Sequence, residues 1–262
     1  MSKIRQPAVA GMFYPDNPRV LQETVNEFLA AAVPYDGPAP RAVIAPHAGY
    51  IYSGPVAGSA FAPWQGETAV NRIILIGPAH TMAIRGLAGV SVDAFATPLG
   101  LAPVDKEGME WLRPLPQVHI LDAAHAREHC LEVELPFLQT IFNEFSIIPL
   151  VAGEASGAEV AQVLALFQDD PTTRIVISSD LSHYHDYATA RRLDAATAQA
   201  ITRLQPEKLG HDSACGRIPI KGLLEMAQRE EWRGTAVDLR NSGDTAGPKD
   251  RVVGYGAFVF TD

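Results

Sequence analysis

The stretch Ile73-Ile74-Leu75-Ile76-Gly77-Pro78-Ala79-His80 joins an aliphatic run to a turn and a histidine. The aliphatic run shows no alternation of apolar and polar residues, which is typical of a strand covered by helices on both faces. Comparable runs lie at residues 42–44, 147–151, 175–177 and 252–260. Together they predict a central sheet between layers of helices.

Helical patterns occupy the segments between the predicted strands. They cover residues 20–32, 56–61, 106–112, 131–142, 158–167, 188–204 and 220–228. Pro136 should delay the start of the fourth helix or kink it, because proline has no amide hydrogen to donate inside a helix. Strands that alternate with helices predict an α/β fold with a mostly parallel central sheet flanked by helices. A chain of 262 residues is short enough for residues 1–262 to form a single domain.

The composition excludes several classes of protein. Hydrophobic residues make up 47% of the chain and charged residues 19%, which excludes a disordered chain or a coiled coil. The 21 basic residues are outnumbered by 30 acidic ones and form no cluster, so the chain should bind neither nucleic acid nor an anionic membrane. Two cysteines are too few for a disulfide framework, and residues 1–7 lead into no apolar segment. We therefore expect a cytoplasmic protein.

Histidines follow three of the predicted strands. His47, His80 and His183 each come shortly after an aliphatic run. Ligands of open α/β sheets bind in the crevice beyond the carboxyl ends of the strands, so the three imidazoles could meet in one pocket. Imidazole is a common metal donor and also transfers protons at neutral pH, and both uses stay open. The alternative for any one of them is a histidine hydrogen-bonded in a polar loop.

Cys215 precedes a helical pattern and lies beside Arg217. Helix amides and the arginine should lower the pKa of its thiol and make a thiolate available for metal binding or nucleophilic attack. The alternative is an inert buried cysteine, which is the interpretation we favour for Cys130 in its apolar helical setting. Neither Cys-x-x-Cys nor His-Glu-x-x-His spacing occurs, so any metal site must be assembled from distant segments.

Acidic residues occur at two places of interest. Glu128, Glu132 and Glu134 surround a helix start, where they complement the helix dipole. Because positions two apart diverge on a helix, at least one of Glu132 and Glu134 is free to face a pocket. Asp180 follows a buried strand and is a candidate for orienting a metal-bound histidine, with a solvent-facing helix cap as the alternative.

Six motifs together resemble those of one protein family. They are Pro7-Ala8-Val9-Ala10-Gly11-Met12-Phe13-Tyr14-Pro15, Ala45-Pro46-His47-Ala48-Gly49-Tyr50, Gly77-Pro78-Ala79-His80, Ser178-Ser179-Asp180-Leu181-Ser182-His183, Cys215-Gly216-Arg217 and Tyr255-Gly256-Ala257. In this order they are similar to the motifs of the Memo family, whose prokaryotic members are labelled AmmeMemoRadiSam system protein B. The resemblance spans nearly the whole chain.

The resemblance implies a fold similar to the LigB-type class III extradiol dioxygenases, which hold non-haem iron with two histidines and a glutamate. In the Memo family a cysteine replaces the glutamate. The matching motifs imply that the metal ligands are His47, His80 and Cys215. They also imply that His183 and Asp180 lie beside these ligands in catalytic roles. A thiolate softens the site, so Fe(II), copper or zinc fits it.

Three functional hypotheses follow. The first is a metal-dependent, dioxygenase-like redox enzyme in which His183 transfers protons and Asp180 orients a ligand. The second is a non-catalytic module that binds a small molecule, a peptide or a protein in the same crevice, with a radical-SAM protein as the partner that the family label implies. The third is a hydrolase that uses Cys215 with His183.

Overall fold

The computed structural model describes residues 2–262 as an α/β fold. Its strands are β1 (Ile4–Arg5), β2 (Ala42–Ala45), β3 (Arg72–Pro78), β4 (Leu87–Gly89), β5 (Ala94–Thr97), β6 (Gly100–Pro103), β7 (Val118–Ile120), β8 (Ser146–Ala152), β9 (Thr173–Ser178), β10 (His183–His185), β11 (Arg233–Asn241) and β12 (Val252–Thr261). Its helices are α1 (Pro18–Ala30), α2 (Tyr50–Phe61), α3 (Lys106–Leu112), α4 (Asp122–His125), α5 (Leu135–Ile141), α6 (Gly157–Ala165), α7 (Tyr187–Thr202), α8 (Arg217–Arg229) and α9 (Ser242–Thr245). Short 3-10 turns lie at Ala62–Trp64, Glu132–Glu134 and Pro206–Lys208.

The large sheet has nine strands in the order β10-β12-β2-β9-β3-β8-β4-β7, with β11 paired to β12. The four central strands β2, β9, β3 and β8 run parallel to one another. Their residues are almost all buried, and since successive side chains point to opposite faces, both faces of the sheet are covered. The predicted α/β fold with a large central sheet flanked by helices is confirmed.

The parallel arrangement stops outside the four central strands. β12 is antiparallel to β2, β10 and β11, and β4 is antiparallel to β8, so the whole sheet is mixed. A separate sheet of β1, β5 and β6 was not predicted, because its strands have only two to four residues. Strand direction and short strands leave little trace in the hydrophobic pattern.

The helices differ from their predicted bounds in instructive places. α2 begins at Tyr50, earlier than the predicted residue 56, because Gly54 and Pro55 hide the helical pattern in its first half. Pro136 lies in the first turn of α5, which starts only after the 3-10 turn Glu132–Glu134, so the predicted delay is confirmed. No helix in the described part of the chain is both long enough and apolar enough to cross a membrane.

Candidate metal centre

The carboxyl ends of the central strands open into a cavity of about 720 Å³. His47 follows β2 by two residues and His80 follows β3 by two, so the parallel strands deliver both imidazoles to the same edge. Asp180 follows β9 in the same way, and His183 begins β10. Cys215 precedes α8. The structure brings these five residues, for which the sequence analysis gave metal-binding or catalytic roles, to the wall of this one cavity.

His47 is held from both sides of its ring and by its backbone. Its Nδ1 lies 2.7 Å from the hydroxyl oxygen of Ser178, and its Nε2 lies 3.3 Å from Sγ of Cys215. Its backbone N–H donates to Oδ1 of Asp180 at 2.9 Å. Burial, together with the neighbouring histidines, lowers the pKa of His47 well below its ordinary value. The ring is therefore neutral at pH 7 and keeps one lone pair for a ligand.

His80 is oriented by Glu128. Nδ1 of His80 lies 2.9 Å from one carboxylate oxygen, and the backbone N–H of His80 donates to the other at 2.6 Å. Burial alone would raise the pKa of Glu128, but the hydrogen bonds and charge of His80 and the amide of Cys130 lower it to about 2. Because an ionised carboxylate only accepts, Nδ1 of His80 carries a proton and Nε2 is the ring nitrogen left for a ligand.

The side chain of Cys130 packs closely against Gly77, next to the Glu128 contact. A Cβ atom at Gly77, near the end of β3, would lie 2.6 Å from Sγ of Cys130. Glycine at this position therefore lets the turn that carries Glu128 and Cys130 pack over the end of the strand. Cys130 is fully buried, as predicted, and its thiol donates to the carbonyl oxygen of Pro78 at 3.2 Å.

His129 is a third imidazole at this site, although no motif in the sequence indicates a role for it. Its ring stacks on that of His80 with 4.8 Å between centroids and an interplanar angle of 16°. His47, His80 and His129 each place one ring nitrogen within 4.8 Å of the others. No strand ends at His129, so it could not be found from the rule that binding residues follow the carboxyl ends of parallel strands. The only indication in the sequence is its position next to Glu128.

Cys215 lies at the start of α8, where the sequence predicted a lowered thiol pKa. That prediction is wrong, since burial and the charge of Asp180 raise the pKa of Cys215 to about 12. Desolvation of a thiolate outweighs the helix amides here, and Arg217 forms no ion pair within the described chain. A Cβ atom at Gly216 would lie 2.6 Å from Cβ of Ser179, so glycine lets the start of α8 approach the end of β9.

Asp180 and His183 complete the cavity wall. Asp180 is 5% exposed and accepts from His47, so it is not the solvent-facing cap that was the alternative. Burial raises its pKa to about 7. Nδ1 of His183 lies 2.8 Å from the carbonyl oxygen of Leu181. A carbonyl oxygen only accepts, so Nδ1 carries the proton and Nε2 of His183 is free to take another.

Glu132 and Glu134 do not face the cavity, although the sequence left at least one of them free to face a pocket. Both are fully buried. Glu132 forms an ion pair with Arg5 and accepts from the hydroxyl of Tyr14 at 2.5 Å, so it anchors the N-terminal segment. Glu134 lies 2.8 Å from the hydroxyl oxygen of Ser178. The two residues diverge as expected, but each finds a partner in the core.

The outer part of the cavity is lined by further residues. Tyr52, Tyr184 and Arg251 lie on this rim with the apolar side chains of Met12 and Phe13. The guanidinium of Arg251 lies 5.0 Å from the ring centroid of Tyr184. Tyr52 lies in α2 and Tyr184 in β10, whereas Met12, Phe13 and Arg251 lie outside the helices and strands.

Comparison with known proteins identifies the family of this chain. The family model described as "Memo-like protein" matches residues 5–259. The chain belongs to the Memo family. It is 35% identical over 270 residues to a MEMO1 family protein of Aquifex aeolicus, covering 98% of this chain and 99% of the relative. A MEMO1 family protein of Thermotoga maritima is 36% identical over 274 residues, covering 96% of this chain and 97% of the relative.

The Memo family resemblance inferred from the six motifs is thereby confirmed. A further relative, a MEMO1 family protein of Nitrosopumilus maritimus, is 32% identical over 277 residues and covers 98% of this chain and 99% of its own. A solved structure of an uncharacterized protein from Escherichia coli K12 aligns with 83% of this chain and 98% of that chain, at 14% identity and a TM-score of 0.49.

Proposed function

We propose that this Memo-family protein is a metal-dependent redox enzyme whose ion is held by His47, His80 and Cys215. The observation that carries the proposal is the convergence of nitrogen and sulfur donors at the edge of an open cavity. Ligands about 2.0–2.3 Å from one tetrahedral ion lie roughly 3–4 Å apart. The 3.3 Å between Nε2 of His47 and Sγ of Cys215 agrees with that spacing.

The surroundings of the donors support metal binding. Metal-binding histidines typically donate their second ring N–H to an oxygen, and Glu128 accepts from His80 in this way. An iron or copper ion held by these donors would supply electron transfer, whereas zinc would supply only Lewis-acid polarisation. Among residues 2–262, no group of three donor atoms within 4.8 Å of one another contains Sγ of Cys215, so His129 is the alternative third ligand.

The remaining cavity residues have separate tasks in this proposal. Nε2 of His183 takes up or delivers a proton at the substrate, since its Nδ1 is committed to Leu181. Asp180 orients His47 through the backbone hydrogen bond. The cavity volume of about 720 Å³ falls in the range typical of small-molecule sites.

The test is metal analysis of protein purified without oxygen. We expect a stoichiometric ion in the wild type and in the control variant His119→Ala, because His119 is exposed on β7 and lies away from this cavity. His47→Ala, His80→Ala and Cys215→Ala should lose the ion. Full metal content in the His47→Ala and Cys215→Ala variants would end the ligand assignment, and loss in His129→Ala with retention in Cys215→Ala would replace the cysteine by His129.

The redox step is tested by oxygen consumption with a supplied reductant, before and after chelation. Turnover that stops on chelation and returns with Fe(II) or copper supports the enzyme. Binding of a peptide or of a radical-SAM partner that survives chelation, without turnover, would instead support the binding module.

A further inference from the structure

Behind His47, on the side away from the cavity, lies a buried polar group that the proposed chemistry does not use. Ser178, the last residue of β9, has its hydroxyl oxygen 2.7 Å from Nδ1 of His47. The same oxygen lies 2.8 Å from Oε1 of Glu134 and 2.7 Å from the carbonyl oxygen of Cys130. All four side chains are buried, and neither Ser178 nor Glu134 lines the cavity.

Counting protons determines the direction of these hydrogen bonds. A serine hydroxyl has one proton to donate and accepts with its lone pairs, and the carbonyl oxygen of Cys130 only accepts. If Glu134 is ionised, two acceptors already compete for the single hydroxyl proton. If Glu134 is protonated, it donates to Ser178, and the hydroxyl proton goes to Cys130. In both cases Ser178 has only a lone pair for His47, so Nδ1 of His47 must carry the proton.

The reverse arrangement leaves buried acceptors without a donor. If Ser178 donated its proton to His47, the carbonyl oxygen of Cys130 would face only lone pairs at 2.7 Å. Oε2 of Glu134 already has no hydrogen-bond partner in the described chain, so the pocket has no other donor to offer. An unpaired polar atom in the protein interior is unfavourable because it has lost its hydrogen bond to water.

We propose that Ser178, supported by Glu134, is a positioning residue that holds His47 in the tautomer with Nδ1–H and presents the Nε2 lone pair to the cavity. The inference rests on the proposed function only for what Nε2 then binds. Burial raises the pKa of Glu134 well above its ordinary value, which favours the protonated form. The hydrogen bond between His47 and Ser178 has the same direction in either form of Glu134.

The first test needs no metal. In chelated, 15N-labelled wild-type protein, long-range NMR correlations of the His47 ring should give the pattern of a single Nδ1–H tautomer. Ser178→Ala should lose that single pattern, because Nδ1–H has no acceptor left, whereas Glu134→Gln should keep it. Ser182→Ala is the matched control, because Ser182 is equally buried in the loop after β9 and does not line the cavity. An Nε2–H tautomer in the wild type, or an unchanged pattern in Ser178→Ala, would overturn the proposal.

The second test measures the affinity of the same variants for added Co²⁺. Loss of a residue that orients a metal ligand typically weakens binding about 10–100-fold, which is the range we expect for Ser178→Ala. Glu134→Gln should stay within about threefold of the wild type, and Glu134→Leu should fall between the two. If Ser178→Ala does not fold, the wild-type tautomer alone decides. A wild type that shows the Nδ1–H tautomer but binds no metal would contradict the proposed function and leave the positioning role intact.

Discussion

Replacing Glu128 with Gln should destabilise the metal-free protein, and more at neutral pH than at pH 3. Glu128 is 2% exposed and accepts from the ring and backbone nitrogens of His80. Its pKa falls from the ordinary value of 4.5 to about 2, against the opposing effect of burial. Each pKa unit corresponds to about 1.36 kcal/mol, so the ionised carboxylate contributes about 3 kcal/mol to the free energy of unfolding at pH 7.

The sign of the pH dependence follows from the lowered pKa. The contribution of Glu128 to the free energy of unfolding is complete above the pKa that its carboxyl has in the unfolded chain. It is lost as pH falls towards 2, because the unfolded state then binds a proton that the folded state does not. With a folded-state pKa of about 2, the wild type should lose about 1 kcal/mol by pH 4 and about 2 kcal/mol by pH 3 through this group. The Glu128→Gln variant has no carboxyl at this position and should not show this part of the loss.

The assay is urea unfolding followed by tryptophan fluorescence, in the presence of a chelator, at pH 7, 5, 4 and 3. Glu110→Gln is the control, because Glu110 forms only an exposed ion pair with Arg113 and should cost less than about 1 kcal/mol at any pH. A destabilisation by Glu128→Gln that is the same at pH 7 and pH 3, or that is no larger than that of the control, would refute the reasoning.

Other expected outcomes concern the N-terminal anchor and the cavity wall. Arg5→Met leaves Glu132 as an unpaired buried charge and should cost about 3–5 kcal/mol in the free energy of unfolding, measured by urea titration; a cost below 1 kcal/mol would contradict the anchoring role. The Asp180→Asn variant of the chelated protein should be more stable than the wild type, by an amount that grows to about 4 kcal/mol as pH rises from 4 to above 7. The reason is the raised pKa of Asp180, which makes its ionised carboxylate unfavourable in the folded wild type. An equal melting temperature for both proteins at pH 8 would contradict this prediction. Cys215 of the chelated protein should react with iodoacetamide far more slowly at pH 8 than in the unfolded chain, since its pKa is about 12; equal rates by mass spectrometry would contradict the burial of the sulfur.

Part of the candidate site could be predicted because it depends on a rule of topology. Parallel strands end at one edge of the sheet, so His47 and His80 could be placed together from the aliphatic runs before them. Cys215 came from the family motifs, since no strand leads to it. His129 was missed because its turn is brought over β3 by the packing of Cys130 against Gly77, a contact between positions far apart in the chain.

The electrostatics of the site could not be predicted from neighbours in the sequence. Arg217 and the start of α8 suggested a reactive thiolate at Cys215, whereas burial beside Asp180 has the opposite effect. At least one of Glu132 and Glu134 was free to face a pocket, but Glu132 pairs with Arg5 and Glu134 contacts Ser178 in the core. A pKa depends on burial and on charges nearby in space, and both are properties of the folded chain.

The sequence by itself determined the α/β fold, the central buried strands and the family, because each of these depends on local patterns of apolar residues or on short motifs. The tertiary structure decided which strands run antiparallel, which histidine lies beside His47 and His80, and which nitrogen of each imidazole ring carries the proton. Those features arise from contacts between residues distant in the chain, and only packing brings such residues within hydrogen-bonding distance.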